Sequence, residues 1–169
     1  MEEVKPAARK EKDPVNAAMR ISLWHLGRSA KTRKQMREIL EKKEYTPQVV
    51  ETVLDRLEGY GYINDAELAR REMMRQVQGK GAGKGIVRQR LYKIGVPPEV
   101  ARETLADLPP SQEYAAARKT GERLYARLTN EEPRARRQKI WQGLCRKGFS
   151  SDIASQVARE LETQWEEDE

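Results

Sequence analysis

The side chains best able to do chemistry in this sequence are one histidine and one cysteine, and neither has the neighbours that catalysis or metal binding requires. His25 has no cysteine or carboxylate beside it at the spacing of metal ligands. Cys145 precedes Arg146 and Lys147, but no histidine lies near it in the sequence to act as a base. We therefore expect a structural or surface His25 and a buried or inert Cys145. Paired carboxylates and nucleophile motifs do not emerge either, so we expect no catalytic residue, no metal, no cofactor and no enzymatic activity.

A run of glycines and lysines, GKGAGKG at residues 79–85, invites comparison with a phosphate-binding loop. That motif requires a glycine five places before its Gly-Lys pair and a serine or threonine after the pair. Gln78 and Gly85 occupy those places, and no strand pattern precedes the run. We therefore expect a flexible connector between two helices, whose glycines permit positive φ angles and whose lysines could meet a partner.

The main candidate for a functional surface is positive charge. The sequence has 33 Lys and Arg against 27 Asp and Glu, a net charge of +6, which favours a polyanionic partner. Basic residues gather in three clusters, with Trp141 inside the last, and these are the predicted partner-binding or nucleic-acid-binding residues: Arg28, Lys31, Arg33, Lys34, Arg37, Lys80, Lys84, Arg88, Arg90, Lys93, Arg134, Arg136, Arg137, Lys139, Trp141, Arg146 and Lys147. The alternative is that these are solvated helix faces, as most charged helix residues are. For the tryptophans, core or rim positions are the alternative to stacking on a base or a partner.

The elements that must position these clusters follow from a repeat of roughly fifty residues, the period of repeated supersecondary units. Eight apolar or small positions recur three times: Met36, Leu40, Tyr45, Val49, Val50, Val53, Leu54 and Leu57; then Val87, Leu91, Val96, Val100, Ala101, Thr104, Leu105 and Leu108; then Ile140, Leu144, Phe149, Ile153, Ala154, Val157, Ala158 and Leu161. Spacings of three and four within each set are typical of helices. Stacked units of this kind form extended surfaces more readily than enclosed pockets, so we expect a binding protein.

Each unit is predicted to contain a leading helix, a basic middle helix and a third helix that carries most of the acids. For the third helices, Thr46 and Ser150 are predicted N-caps, and Pro97 with Pro98 takes the same place in the second unit. Other predicted caps and stops are Gly59, Gly61, Asn64 and Ser111. The leading helices are expected over about 15–27, 65–78 and 112–128, with these core candidates: Ile21, Trp24, Met73, Leu124 and Tyr125. The predicted bounds are a mobile arm at 1–13, repeats at 14–62, 63–109 and 110–165, and an acidic tail at 166–169.

Composition excludes two further classes. A single cysteine excludes an intramolecular disulfide framework, and no apolar run approaches the roughly 20 residues of a membrane span. The first residues, MEEVKPAARKEKD, lack the apolar stretch of a secretory signal. We expect a soluble cytoplasmic protein.

Four segments resemble the RecX family, the small regulators of the bacterial recombinase RecA. GYGYINDAELA at 59–69 is similar to a Gly-Tyr-hydrophobic-Asp-Asp-x-x-Phe-Ala junction of that family, and GAGKGIVRQRLYKIGV at 81–96 is similar to its Gly-x-Gly and basic helix. TRKQMREIL at 32–40 and GLCRKGFSSDI at 143–153 resemble its first-unit and third-unit signatures. The resemblance covers about residues 15 to 163.

The resemblance implies an all-α fold of three tandem three-helix repeats forming an elongated, curved array that lies along the groove of the RecA nucleoprotein filament. It also implies inhibition of strand exchange and ATP hydrolysis, and hence a role in DNA repair, homologous recombination and the SOS response. The expected partners are the RecA filament and single- or double-stranded DNA without sequence preference, and the expected state is a monomer. The residues leave open an alternative, a helix-turn-helix-like protein that acts on bare DNA.

Overall fold

The computed structural model describes residues 13–166, with side chains described for 13–163. These residues form helices and loops without strands, and they divide into two compact units between Asp65 and Ala66. The prediction of an all-helical repeat fold is confirmed. The predicted arm and acidic tail lie outside the described residues, apart from Asp13 and the backbone of Glu166. The predicted bounds of the three repeats stay a prediction.

The first unit contains three helices, α1 (Pro14–Arg28), α2 (Arg33–Glu41) and α3 (Pro47–Gly59). Asp13 caps α1, because its carboxylate accepts hydrogen bonds from the backbone of Val15 and Asn16 at 3.1 Å each. Thr32 and Gln35 form a reciprocal capping box on α2, and Thr46 caps α3 as predicted. These caps satisfy backbone groups at the start of each helix and so fix where it begins.

The second unit begins within α4 (Asp65–Met74), which continues as a π-helical segment, Arg75–Gly79. The helices that follow are α5 (Lys84–Lys93), α6 (Pro98–Ala106), α7 (Pro110–Tyr125), α8 (Pro133–Arg146) and α9 (Ser151–Glu166). One apolar cluster joins α4 to α6, and α7, α8 and α9 pack on each other around a second. The second unit therefore holds two adjacent helical cores.

The eight apolar or small positions that recur three times, which we call the repeated columns, form the core, as predicted. In all three sets they are buried, except for four positions that are half-buried: Tyr45, Val49, Val100 and Ile153. The basic middle helices thus present one apolar stripe to their own core. Their charged residues lie on the remaining faces.

The leading helices were predicted less accurately. Met73 and Tyr125 are buried, but Ile21 and Leu124 are only half-buried and Trp24 is 57% exposed. The prediction of Trp24 as a core residue is wrong. The buried face of α1 is built from the small residues Ala17, Ala18 and Ser22 instead, which lack the large apolar side chains that mark a core position in a sequence.

Two predicted helix ends also differ. Gly59 belongs to α3 and Gly61, at φ 75°, is the left-handed residue that ends it. Ser111 lies inside α7, because Pro109 takes the N-cap position and Pro110 the first helical position. Proline's fixed φ angle starts the helix without a side-chain cap.

Candidate binding surface on the basic helices

In the first unit, the arginines of α2 are occupied by acids of α3. The guanidinium of Arg33 lies 2.8 Å from Glu51, 2.8 Å from Asp55 and 2.5 Å from Glu58. Arg37 lies 2.6 Å from the other oxygen of Glu51. We call these five residues the α2–α3 ion-pair network. It links the two helices and gives both arginines carboxylate partners within the first unit.

The surroundings of Arg33 favour its charged form. Burial opposes the charge, but hydrogen bonds to Asp55 and Glu51 and the charge of Glu58 outweigh burial and raise the pKa of Arg33 above its ordinary value. The backbone N–H of Arg33 also donates to the carboxylate of Asp65 at 2.9 Å. Burial of Asp65 raises its pKa, and that hydrogen bond partly opposes the shift.

Other predicted cations of the first unit have weaker attachments. Arg28 stacks on Trp24 with its guanidinium carbon 4.3 Å from the ring centroid, a cation–π contact on the surface. Lys31 donates to the carbonyl of Ser29 at 3.3 Å and contacts its hydroxyl. Lys34 is exposed and has no ion-pair partner among residues 13–163.

On α5, two of the predicted cations contact acids from elsewhere in the second unit. Arg90 lies 2.9 Å from Glu72 of α4, and Glu72 also pairs with Arg75 at 2.7 Å. The hydrogen bonds from Arg75, Gln76 and Arg90 lower the pKa of Glu72 to about 2, although burial acts in the opposite direction. Three cations remain exposed without an ion pair to any described side chain: Lys80, Arg88 and Lys93.

Lys84, at the start of α5, packs against α7. Its ammonium lies 3.4 Å from the buried carboxylate of Glu113, and its backbone N–H lies 3.5 Å from the other carboxylate oxygen. Glu113 is only 6% exposed, so Lys84 supplies the countercharge that a buried carboxylate requires. Sequence reasoning missed Glu113, because a single acid at the start of a helix carries no signal of its partner.

The glycine run packs against the turn that follows α8 and is not a flexible connector, so that prediction is wrong. The N–H of Gly83 donates to the carbonyl of Lys147 at 2.8 Å, and the N–H of Gly85 donates to the carbonyl of Gly148 at 2.9 Å. The hydroxyl of Thr120 donates to the carbonyl of Gly81 at 3.1 Å. A Cβ atom at Gly83 would lie 2.5 Å from the backbone of Gly148, so only glycine allows this approach.

Two cations of α8 contact neighbouring side chains of the second unit. Lys139 lies 2.5 Å from Glu131, and Arg136 stacks 4.6 Å from the ring of Tyr125 with its buried Nε lacking a hydrogen-bond partner in the described part of the chain. Three others are exposed and have no described ion-pair partner: Arg134, Arg146 and Lys147.

A groove of about 750 Å³ opens between α8 and α9. Arg134, Arg137 and half-buried Trp141 of α8 line one wall, and Ser155 and Arg159 of α9 line the other. We call it the α8–α9 groove. Arg137 lies 3.2 Å from Glu162, and the Nε of Arg159 donates to the carbonyl of Ser155 at 3.2 Å. The prediction named Arg134, Arg137 and Trp141 but missed Arg159, because Arg159 lies in a third helix, and the third helices carry most of the acids.

Two kinds of feature are absent from the described part of the chain. Residues 13–163 contain no group of three or more His, Cys, Asp or Glu side chains arranged to hold a metal ion. None of the described helices has the length and apolar character needed to cross a membrane.

The chain is similar to RecX proteins in sequence. The family models for the first and third three-helix domains of RecX match residues 18–57 and 111–158. Regulatory protein RecX of Thermobifida fusca is 30% identical over 143 residues, which cover 85% of this chain and 77% of that protein. The Clostridioides difficile relative of the same name is 30% identical over 136 residues, or 80% of this chain, but only 64% of that longer protein.

Solved structures give the same result for the fold. A crystal structure of RecX from Lactobacillus salivarius superposes with a TM-score of 0.85 at 22% identity, covering 90% of this chain and 99% of that one. A second crystal structure, of a regulatory protein RecX, has a TM-score of 0.76 at 28% identity and covers 86% of this chain and 71% of its own. Sequence and fold together show that the chain belongs to the RecX family.

Proposed function

We propose that this protein is a non-enzymatic, cytoplasmic regulator that binds the groove of the RecA nucleoprotein filament and inhibits strand exchange and ATP hydrolysis, thereby modulating DNA repair and recombination. Its relatives are named regulatory proteins, which supports the regulatory part of the proposal. Several of those relatives are longer than this chain, which spans 64% of one and 47% of another.

The observation that supports a binding surface is the set of exposed cations on α5 and α8. The second unit keeps exposed cations on both α5 and α8 that no described carboxylate neutralises, Arg88 and Arg134 among them. Uncompensated positive charge attracts polyanions and acidic protein surfaces and speeds their encounter. Several weak contacts displayed on one body give a high apparent affinity when their spacing matches that of a repeating partner.

The direct test is DNA-dependent ATP hydrolysis by the cognate recombinase on single-stranded DNA. We expect the purified protein to suppress hydrolysis at stoichiometric amounts. Unchanged hydrolysis would contradict the proposal. Sequence-selective binding to bare duplex in the absence of recombinase would support the helix-turn-helix alternative instead.

A matched pair of variants assigns the effect to the basic helices. Arg88→Glu combined with Arg134→Glu removes exposed cations of α5 and α8, and should abolish inhibition without changing helical content. Arg56→Glu combined with Arg102→Glu changes the net charge equally but acts on exposed arginines of α3 and α6. If both pairs weaken inhibition equally, net charge matters and the proposed surface does not.

A further inference from the structure

The α8–α9 groove combines charge with an aromatic ring in an unusual way. Arg134, Arg137, Gln138 and Trp141 follow one another at helical spacings of three, one and three, so they share one face of α8 and line the same groove. A helix face that packs against another helix is typically apolar. Here three positions are polar and two of these are cationic. The groove therefore suits a ligand that brings negative charge and a flat apolar group together.

The arginines of the groove can still accept a ligand. Arg134 has no ion-pair partner among the described side chains. Arg137 pairs with Glu162 at 3.2 Å, and the two side chains are 48% and 15% exposed, so the arginine keeps a solvent-facing edge that a ligand can reach. The hydrogen bond of Arg159 to the carbonyl of Ser155 uses its Nε, and its terminal nitrogens have no described hydrogen bond. Guanidinium groups bind phosphate with two parallel hydrogen bonds.

We propose that the α8–α9 groove binds single-stranded nucleic acid, with one base stacked on Trp141 and the adjoining phosphates contacted by Arg134, Arg137 and Arg159. Each nucleotide supplies one flat ring and one negative charge, the combination that proteins bind with an aromatic platform inside a positive groove. The bases of a duplex are stacked on each other and do not reach an indole between two helices. An acidic peptide would satisfy the arginines but leave the indole uncovered.

This inference rests on the proposed function, whose polyanionic partner it narrows to one ligand class at one place. Glu162 contacts Arg137 and its negative charge opposes a polyanion, so a phosphate that binds Arg137 must compete with this carboxylate. We therefore expect affinity to fall steeply as salt concentration rises, because phosphate contacts release counterions.

The experiment measures the binding of a fluorescently labelled oligothymidine of about 12 nucleotides to the full chain by anisotropy, without recombinase. Trp141→Ala should weaken binding about five- to hundredfold, the loss expected for one stacked base, and Trp141→Phe should keep most of the affinity. Trp24→Ala is the matched control, since Trp24 is an exposed tryptophan of the first unit beside its own arginine, and it should leave binding unchanged. Because Trp141 also contacts the core, Arg134→Glu is the second variant. It should reduce affinity and flatten the salt dependence while leaving helical content intact.

Three results would overturn the inference. The first is an equal loss of affinity in Trp141→Ala and Trp24→Ala. The second is equal affinity for the oligothymidine and for a duplex of the same length. The third is displacement of the oligothymidine by polyglutamate that binds with an affinity independent of Trp141. The last would assign the groove to an acidic protein segment.

Inhibition of recombinase ATP hydrolysis, measured on the same variants, separates the two proposals. Loss of oligothymidine binding with full inhibition leaves the groove inference standing and removes the groove from the regulatory mechanism. Intact oligothymidine binding in Trp141→Ala overturns the groove inference whatever the inhibition.

Discussion

Helices α2 and α8 are the middle helices of the first and third predicted repeats and carry the same kind of sequence, yet their arginines make different contacts. On α2, Arg33 alone contacts three carboxylates of α3 within 2.8 Å, and its side chain is only 24% exposed. On α8, Arg134 is exposed and has no ion pair among the described residues, and it lines a groove with Trp141. A cluster of basic residues is therefore a candidate for a binding surface only where the next helix supplies too few acids to neutralise it.

The two helices should be equivalent in one respect, the apolar stripe that each buries in its core. Leu40 and Leu144 belong to the same repeated column, and both are 0% exposed. Leu40→Ala and Leu144→Ala should each lower the free energy of unfolding by about 2 to 5 kcal/mol, because each leaves a cavity in a packed core. Urea denaturation followed by circular dichroism measures both. A loss below about 1 kcal/mol at either site would break the equivalence and with it the repeat alignment.

The difference between the helices should appear when the charge is removed and the side-chain length is kept. Arg33→Met should lower the free energy of unfolding by about 1 to 2 kcal/mol, since it leaves three acids of α3 near one another without a shared cation, in a partly exposed site where solvent screens the effect. Arg134→Met should change stability by less than about 0.5 kcal/mol, as exposed unpaired residues do.

Salt concentration should affect the stability of the two variants differently. At about 1 M salt the Debye length falls to roughly 3 Å, so the difference in stability between the wild type and Arg33→Met should shrink. The stability of Arg134→Met relative to the wild type should stay constant over the same range. If Arg33→Met is as stable as the wild type at low salt, the α2–α3 ion-pair network is a surface feature and Arg33 returns to the candidates for partner binding.

Sequence alone predicted the core and the helices well, because the repeated columns such as Leu40, Leu91 and Leu144 depend on local periodicity that a single chain displays. It could not predict which cations are neutralised. The acids that contact Arg33 lie 18 to 25 positions away, as Glu51, Asp55 and Glu58, and only the packing of α2 on α3 selects them. The lining of the α8–α9 groove was predicted only in part for the same reason. Arg134 and Trp141 of α8 were predicted, but Arg159 joins them only through the packing of α9 on α8.

The glycine run shows the converse limit. Its composition is typical of a flexible linker, and nothing within residues 79–85 reveals that Lys147 and Gly148, more than sixty positions later, accept its hydrogen bonds. Glycine permits both a mobile chain and a close backbone approach, and the local sequence does not distinguish them. The distinguishing fact is a long-range contact.

The smallest expected effect concerns the ends of the same two helices. After α2 the chain turns through Glu44 at φ 61°, and after α8 through Gly148 at φ 88°. Gly95 occupies the equivalent place after α5 at φ 84°. In each case the following residue donates a hydrogen bond back to the column leucine, from Tyr45 to Leu40 and from Phe149 to Leu144. The three turns are thus alike, and only the first places a side chain in the left-handed region, where a Cβ atom is costly.

Glu44→Gly should therefore raise the free energy of unfolding of the first unit by about 0.5 to 1 kcal/mol, the backbone strain relieved minus the extra entropy that glycine gains when unfolded. Glu44→Ala keeps the strain while removing the charge and should give no gain, which separates the backbone effect from the loss of the exposed carboxylate. Gly95→Ala imposes the same strain on the second unit and should lower stability. Thermal and urea denaturation of the three variants test this, and a gain in Glu44→Ala equal to that in Glu44→Gly would show that the carboxylate, and not the turn, distinguishes the end of α2.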